Sequence, residues 1–146
     1  MKLKLKYLAS YLPYGLNIKD VKHGSVFEAL HFITTPHQDF SLFKGNFDQL
    51  INDKYLKPIL FPLSSLTKEI TINGETFNPY DKINKKYPNT PQFTDYVKGL
   101  MPYYGIMDSK CEHVCILKLF EWKIDVFGLI DAGLAEPVTE EFNPYK

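Results

Sequence analysis

One cluster of residues in the sequence has the chemistry to hold a soft metal ion, namely Cys111, His113 and Cys115. Structural zinc needs four ligands, usually from two spaced pairs, and the chain has no second pair of cysteines. On a helix the two thiols share a face at positions i and i+4, and His113 points away from them. We therefore expect buried, reduced thiols near the start of a helix, and no metal or other cofactor.

The remaining chemistry-bearing residues do not assemble into a known catalytic motif. His23, His31 and His37 lie close in sequence, but a turn at Gly24 prevents one strand from carrying both His23 and His31. The chain has no Gly-x-Ser-x-Gly elbow, no glycine-rich phosphate loop and no helical His-Glu-x-x-His motif. No spacing of carboxylates indicates an acid–base pair. The sequence therefore favours a protein without enzymatic activity, and a small enzyme built from distant residues stays as the alternative.

The best candidates for a binding site are Tyr103 and Tyr104, in the segment Met101-Pro102-Tyr103-Tyr104-Gly105. Tyrosines on a Pro/Gly loop offer a large contact area at little entropy cost, so they can anchor a partner protein. The alternative is that both rings fold back over the core.

Composition limits the class of partner. Of the 146 residues 45% are hydrophobic and 23% are charged, and the formal net charge is zero, which favours a folded domain over a disordered chain. All 17 basic residues are Lys, so the chain lacks the bidentate Arg contacts and the basic excess typical of nucleic-acid binders. These features disfavour a nucleic-acid partner, but lysine can still bind phosphate, so nucleic-acid binding stays as the third hypothesis.

The elements that must position these residues begin with an ambiguous segment, 3–12. Leu3, Leu5 and Tyr7 alternate with Lys as in a strand, whereas Leu5, Leu8 and Tyr11 recur at helical spacing. We choose a short helix, which Pro13 and Gly15 would end.

Three strands are predicted next. Residues 16–22 and 25–34, the second of which is rich in apolar residues, flank a turn at His23-Gly24-Ser25, and residues 40–43 add a third strand. Together they would form an antiparallel meander.

The clearest local signal is Ile70-Thr71-Ile72-Asn73-Gly74-Glu75-Thr76-Phe77. Asn-Gly between alternating residues predicts a hairpin with a type I′ turn, because both residues tolerate positive φ. A two-residue loop fixes the register, so Ile70 should face Phe77, and Ile70, Ile72 and Phe77 should share the buried face. Short helical turns are expected from Ser64 or Ser65 and from Pro79, and a short helix at 94–101.

The strongest helix signal lies in the C-terminal third. Asp108 or Ser109 is a suitable N-cap, and Gly133 a suitable C-cap, with Gly128 as a point where the helix kinks or splits. Its apolar stripe is spaced 4, 3, 4, 3 and consists of Cys115, Leu119, Trp122, Val126 and Leu129.

We expect one domain over residues 1–146, with a frayed tail at 138–146. The apolar stretch after the N-terminal lysines is too short for a secretory signal, which needs about seven to fifteen apolar residues. No uncharged apolar window of about 18 residues exists, so we expect no membrane span.

Three segments resemble small proteins encoded by phages and prophages of Bacteroidetes. They are Tyr11 to Leu16, then Lys57 to Ile70 with Asn73-Gly74-Glu75-x-Phe77, and Lys118 to Ile130. Together they cover about a third of the chain, and no functional residue is carried over. The resemblance implies a setting, that of a phage accessory protein in the cytoplasm of a bacterial host.

The sequence thus predicts an α+β fold in which a small antiparallel sheet, the meander plus the Asn-Gly hairpin, packs against a C-terminal amphipathic helix. The first functional hypothesis is a non-enzymatic protein that binds a host or phage protein, and a homodimer is compatible with it. The alternative is a small enzyme or a protein that binds a small, nucleotide-like molecule, which would need a deep pocket with convergent polar groups.

Overall fold

The computed structural model describes residues 2–34, 48–86 and 110–146 of the chain. It confirms the α+β class, because the chain forms helices together with a four-stranded sheet and a separate two-stranded sheet. In chain order the elements are α1 (Leu5–Ala9), a 3-10 helix (Leu12–Tyr14), β1 (Asn17–Asp20), β2 (Val26–Glu28), α2 (Ala29–Thr34), a helical stretch at 48–52, β3 (Leu56–Leu60), a second 3-10 helix (Leu63–Thr67), β4 (Ile70–Ile72), β5 (Glu75–Phe77), α3 (Pro79–Lys86), α4 (Lys110–Glu121) and β6 (Glu136–Pro137).

The N-terminal segment is helical, as predicted. Leu8 and Tyr11 are fully buried, as helical spacing predicts, but Leu5 is 47% exposed, and α1 ends at Ala9 and not at Pro13. The Tyr11 hydroxyl donates to the Ile124 carbonyl at 2.8 Å and accepts from the Val126 backbone N–H at 3.2 Å, which ties this segment to the C-terminal third. Gly15, at φ +75°, ends the 3-10 helix in the left-handed conformation that glycine adopts at least strain.

The four-stranded sheet has the order β2-β1-β3-β6. Its first three strands pair antiparallel, and β3 pairs with β6 in parallel, so the sheet is mixed and not purely antiparallel as predicted. The third strand of the antiparallel part is β3. The predicted third strand of the meander, 40–43, lies outside the described residues.

The second predicted strand, 25–34, is wrong in its second half. The ladder between β1 and β2 closes with a bond from the Ala29 N–H to the Leu16 carbonyl at 2.7 Å. On the other side of that bond the chain turns away at Gly15, so the residues after Glu28 find no partner strand there. A helix satisfies their backbone groups internally, and α2 forms instead.

The Asn-Gly hairpin is confirmed with its register. Ile70 faces Phe77, and Asn73 and Gly74 both have positive φ, as a type I′ turn requires. Ile70 and Ile72 are buried, so the predicted inner face is correct.

The short helices on either side of the hairpin also match the predictions. The turn expected at Ser64 or Ser65 is the second 3-10 helix, and α3 begins at Pro79, with Asn78 Oδ1 accepting a capping bond from the Asp81 N–H at 3.2 Å. The helix expected at 94–101 lies outside the described residues.

The C-terminal helix is shorter than predicted, because α4 ends at Glu121. Lys123 adopts φ +55°, its N–H bonds to the Phe120 carbonyl at 3.0 Å, and the Ile124 N–H bonds to the Leu119 carbonyl at 2.9 Å. These two bonds form a Schellman motif, which terminates a helix. Gly128 and Gly133 therefore lie in turns after the helix, and the predicted N-caps Asp108 and Ser109 lie outside the described residues.

The predicted apolar stripe is nevertheless buried along its whole length, although only its first two members belong to α4. The ring of Trp122 lies 5.1 Å from that of Phe77 and so joins the helix end to the hairpin. The buried members of the stripe are Cys115, Leu119, Trp122, Val126 and Leu129.

The predicted fraying of residues 138–146 is wrong. Tyr145 is 5% exposed, and its hydroxyl donates to the Ile59 carbonyl at 2.6 Å and accepts from the Asn17 N–H at 3.2 Å. The Tyr145 carbonyl accepts from the Asn73 N–H at 2.7 Å, so the tail bonds to both sheets. A segment whose backbone and side chain are both held in this way has no reason to fray.

Candidate binding surfaces

The binding residues predicted from sequence, Tyr103 and Tyr104, lie outside the described residues, as do His37 and the side chains of Cys111 and His113. Cys115 lies in the core. Among residues 2–34, 48–86 and 110–146 no three His, Cys, Asp or Glu side chains are grouped so as to hold a metal ion.

His23 is exposed and forms a local pair with Asp20. The distance between His23 Nδ1 and Asp20 Oδ2 is 2.7 Å, and Asp20 Oδ1 also accepts the backbone N–H groups of Lys22 and His23. The hydrogen bond from the His23 side chain is the main cause that lowers the pKa of the Asp20 carboxyl. These contacts fix the turn between β1 and β2 and give His23 a structural role.

The first candidate surface lies at the end of the β1–β2 hairpin and consists of Val21, Lys22, Lys54 and Tyr55; we call it the hairpin-tip surface. The pairing of β1 with β3 brings its two halves together, because the Val21 N–H donates to the Tyr55 carbonyl at 2.9 Å. Val21 is 36% exposed and Tyr55 is 40% exposed. Two large side chains, of Val21 and Tyr55, are therefore exposed to solvent next to each other at one end of the sheet.

Two lysines flank the exposed tyrosine ring. The Nζ atom of Lys54 lies 4.8 Å from the centre of the Tyr55 ring, and that of Lys22 lies 5.8 Å from it. Neither ammonium forms an ion pair within the part of the chain that the structure describes. The nearby acids are engaged in turns, since Asp20 holds His23 and Asp53 Oδ1 accepts the Tyr55 N–H at 2.9 Å. The surface thus presents an aromatic ring flanked by two ammoniums, while the neighbouring carboxylates of Asp20 and Asp53 bond to their own turns.

The second candidate is a cleft of about 380 Å³ between the segment that leads from β3 to β4 and the tail that follows β6, which we call the inter-sheet cleft. Its floor is the connection from β3 to β4, which includes Phe61 and the second 3-10 helix, and its opposite wall is the C-terminal tail from Val138 to Lys146. The tail is held in place by a bond from the Val138 N–H to the Leu60 carbonyl at 2.8 Å, and by a bond from Asn143 Nδ2 to the Thr71 carbonyl at 2.9 Å.

The inter-sheet cleft contains polar groups that the fold leaves unused. Ser65 lines it and is only 9% exposed, and its hydroxyl has no hydrogen-bond partner among the described residues. Lys68, Glu69, Glu140 and Lys146 also line it, and none of them is ion-paired with another described residue. The hydroxyl of Ser65 is therefore left to bond with water or with a ligand in the cleft, because the described protein groups leave it without a partner.

A third unusual feature is the buried side chain of Lys123. The residue is 5% exposed, and its Nζ atom lies 5.1 Å from the centre of the Tyr145 ring. Burial lowers the pKa of this ammonium, while the carboxylates of Glu121 and Glu28 act in the opposite direction. Lys123 also occupies the left-handed position of the Schellman motif, which glycine usually fills.

Asp125 is buried two residues further along. Its carboxylate accepts the backbone N–H groups of Leu129 at 2.9 Å and of Ile130 at 2.8 Å, and so holds the turn that follows α4. Burial raises the pKa of this carboxyl, while the backbone hydrogen bonds lower it. The Asp125 carboxylate therefore holds the turn after α4, whereas the Lys123 ammonium packs on the Tyr145 ring, and neither residue lines the inter-sheet cleft.

No family model, no curated protein and no solved structure matches the chain. Within the described residues no helix is long and apolar enough to cross a membrane.

Proposed function

We propose that this protein acts by binding another protein, as a non-enzymatic accessory protein, and that the hairpin-tip surface contacts the partner. The observation that carries the proposal is the exposed Tyr55 ring, which lies beside Val21 and within 6 Å of two lysine ammoniums that form no ion pair with another described residue. Tyrosine is enriched among the residues that dominate binding energy at protein interfaces. Exposed apolar side chains that lie next to each other are typical of interaction sites.

The charge of the surface indicates the chemistry of the partner. Lys22 and Lys54 are exposed, whereas Asp20 and Asp53 are held in turn contacts that orient their carboxylates toward the chain itself. A partner segment that carries carboxylates would pair with the two ammoniums and place an apolar side chain on Tyr55 and Val21. Such complementarity speeds association and selects against basic partners. We therefore propose an acidic segment with an apolar anchor.

The setting proposed for this interaction is the cytoplasm of a bacterial host that carries a phage or prophage. It is supported only by the sequence resemblance, which includes the hairpin Ile70 to Phe77 and the segment Lys118 to Ile130. The partner is then a host or phage protein. A second copy of the chain is the remaining possibility, and the mass of the complex distinguishes it.

The proposal is tested by affinity capture from a bacterial cytosol, followed by reconstitution with the purified captured protein. The test variant is the double charge reversal Lys22→Glu/Lys54→Glu, and a second variant is Tyr55→Ala. The matched control is Lys2→Glu/Lys85→Glu, which changes the net charge by the same amount at exposed lysines away from the surface. We expect roughly a hundredfold weaker binding for the test variant, because two charge-assisted contacts are lost.

The control should bind as the wild-type chain does. Equal binding of all variants by the purified partner would contradict a role for the hairpin-tip surface. A monomer that retains no protein in any bacterial cytosol tested would contradict protein binding itself.

A further inference from the structure

We infer that the inter-sheet cleft binds a small zwitterionic molecule, one that carries both an ammonium and a carboxylate, of the amino-acid or short-peptide class. The site is separate from the hairpin-tip surface, because the two share no residue. The inference therefore goes beyond the proposed function and does not depend on it.

The first observation is the hydroxyl of Ser65. The residue is nine-tenths buried and lines the cleft, yet no described residue accepts or donates a hydrogen bond to its hydroxyl. Leaving a buried hydroxyl without a partner is unfavourable. A polar ligand atom in the cleft can supply the missing bond.

The second observation is that the cleft carries charges of both signs. Four exposed residues line it: Lys68 and Lys146, which carry ammoniums, and Glu69 and Glu140, which carry carboxylates. Among the described residues, none of these four groups lies within 4.0 Å of an opposite charge. The cleft thus offers cationic and anionic groups that the fold has not paired with each other, and a ligand with both charges can pair with each kind.

The same charges argue against a purely anionic ligand. A phosphate or a nucleotide would gain from Lys68 and Lys146, but Glu69 and Glu140 line the same cleft and would repel it. A purely cationic ligand would be attracted by the two glutamates but repelled by the two lysines. A molecule with both charges can place its carboxylate near the two lysines and its ammonium near the two glutamates, so that all four groups attract it.

The third observation is that the polar groups of the cleft wall are already positioned. Asn143 donates to the Thr71 carbonyl, and its own Oδ1 accepts the Tyr145 N–H at 2.9 Å. Thr139 Oγ1 accepts the Phe142 N–H at 3.1 Å. These bonds hold the tail in shape before a ligand arrives, which reduces the ordering that binding would require.

The test is an NMR titration of the full chain, labelled with ¹⁵N, with four probes at constant ionic strength. The first probe is glycylglycine, a zwitterion at neutral pH. Acetylated glycylglycine carries only the carboxylate, glycylglycinamide carries only the ammonium, and inorganic phosphate reports on simple anion binding. We expect saturable shifts of amides at 64–71 and 138–146 with glycylglycine, and at least threefold weaker binding of the other probes.

The variant Ser65→Ala tests the buried hydroxyl, with Ser25→Ala, an exposed turn serine, as its matched control. Loss of one neutral hydrogen bond predicts roughly twofold to tenfold weaker glycylglycine binding in Ser65→Ala and no change in Ser25→Ala. Absence of saturable shifts, equal binding of acetylated glycylglycine or phosphate, or an unchanged affinity in Ser65→Ala would each overturn the inference. The Lys22→Glu/Lys54→Glu chain should titrate normally, so this result and the partner-binding result are independent.

Discussion

At the scale of single residues, Lys123 stands out because it departs from two local preferences at once. Its ammonium is buried without a hydrogen bond in the described part of the chain, and its backbone takes the left-handed conformation that favours glycine. The Tyr145 ring gives partial compensation through a cation–π contact. Such departures are expected to leave a measurable signature in the pH dependence of stability.

The buried ammonium of Lys123 is predicted to contribute a free energy of unfolding that rises with pH in the mildly alkaline range. Burial lowers the pKa of the ammonium below its ordinary value of 10.5, so the folded chain releases this proton before the unfolded chain does. Between the lowered pKa and 10.5 the unfolded chain binds more protons, and the free energy of unfolding therefore rises with pH. Lys123→Met removes the titrating group while keeping a side chain of similar length.

Urea unfolding of both chains at several pH values from about 8 to about 10 measures this effect. We expect the free energy of unfolding of the wild-type chain to rise relative to that of Lys123→Met across this range. A difference that stays constant, or that changes in favour of the variant, would contradict the buried position of the ammonium.

At the scale of the elements, structures that depend on local sequence could be predicted, whereas those that depend on tertiary contacts could not. The Asn73-Gly74 turn needs only two residues that accept positive φ, so the sequence alone predicts the hairpin and its register. The end of α4 was missed because the left-handed position of its Schellman motif is filled by Lys123, whereas the sequence signal for that motif is glycine. The burial of the stripe was still predicted, since apolar residues are buried whether a helix or a turn carries them.

The hairpin-tip surface could not be read from the sequence for a related reason. Val21 and Tyr55 are far apart in the chain, and only the pairing of β1 with β3 brings them together. Neither segment carries a motif of its own. The Pro/Gly-flanked pair Tyr103 and Tyr104 was the stronger local signal, and it stays a prediction.

Trp122 is predicted to be the main link between the end of α4 and the hairpin. It is 5% exposed, and its ring packs on that of Phe77. Trp122→Ala should lower the free energy of unfolding by about 3–5 kcal/mol, because it leaves a large cavity between two elements. Leu117→Ala, at an exposed position of α4, should lower it by less than about 1 kcal/mol. A loss below about 1 kcal/mol for Trp122→Ala would show that the ring is not part of the core.

At the scale of the whole molecule, the C-terminal tail joins the two sheets. Tyr145 bonds to Ile59 and Asn17 of the four-stranded sheet, while its own carbonyl and the Asn143 side chain bond to the hairpin. The same segment forms one wall of the inter-sheet cleft. The tail therefore has two roles: it stabilises the fold, and it forms one wall of the inter-sheet cleft.

Removal of the Tyr145 hydroxyl alone tests this role of the tail. Tyr145→Phe keeps the ring but leaves the Ile59 carbonyl and the Asn17 N–H without their partner, so we expect a loss of about 1–3 kcal/mol in the free energy of unfolding. Tyr55→Phe, at the exposed ring, should change it by no more than about 0.5 kcal/mol. If chemical denaturation gives the same small change for both variants, the tail does not join the sheets in solution.

The molecule as a whole presents two different surfaces, at separate places on one fold. The hairpin-tip surface is exposed, aromatic and cationic, which suits a protein partner. The inter-sheet cleft is a concave site of about 380 Å³ lined by charges of both signs, which suits a small zwitterion. Protein binding at the hairpin-tip surface is the central proposal.

Site-specific photo-cross-linking in the bacterial cytosol tests that proposal most directly. A photoreactive phenylalanine analogue would replace Tyr55 in one chain and Leu117 in another, because both residues are 40% exposed but only Tyr55 belongs to the hairpin-tip surface. We predict that position 55 cross-links to one protein, through a segment rich in Asp and Glu, and that position 117 does not. Cross-links to that protein from position 117 alone, or from neither position, would contradict the account.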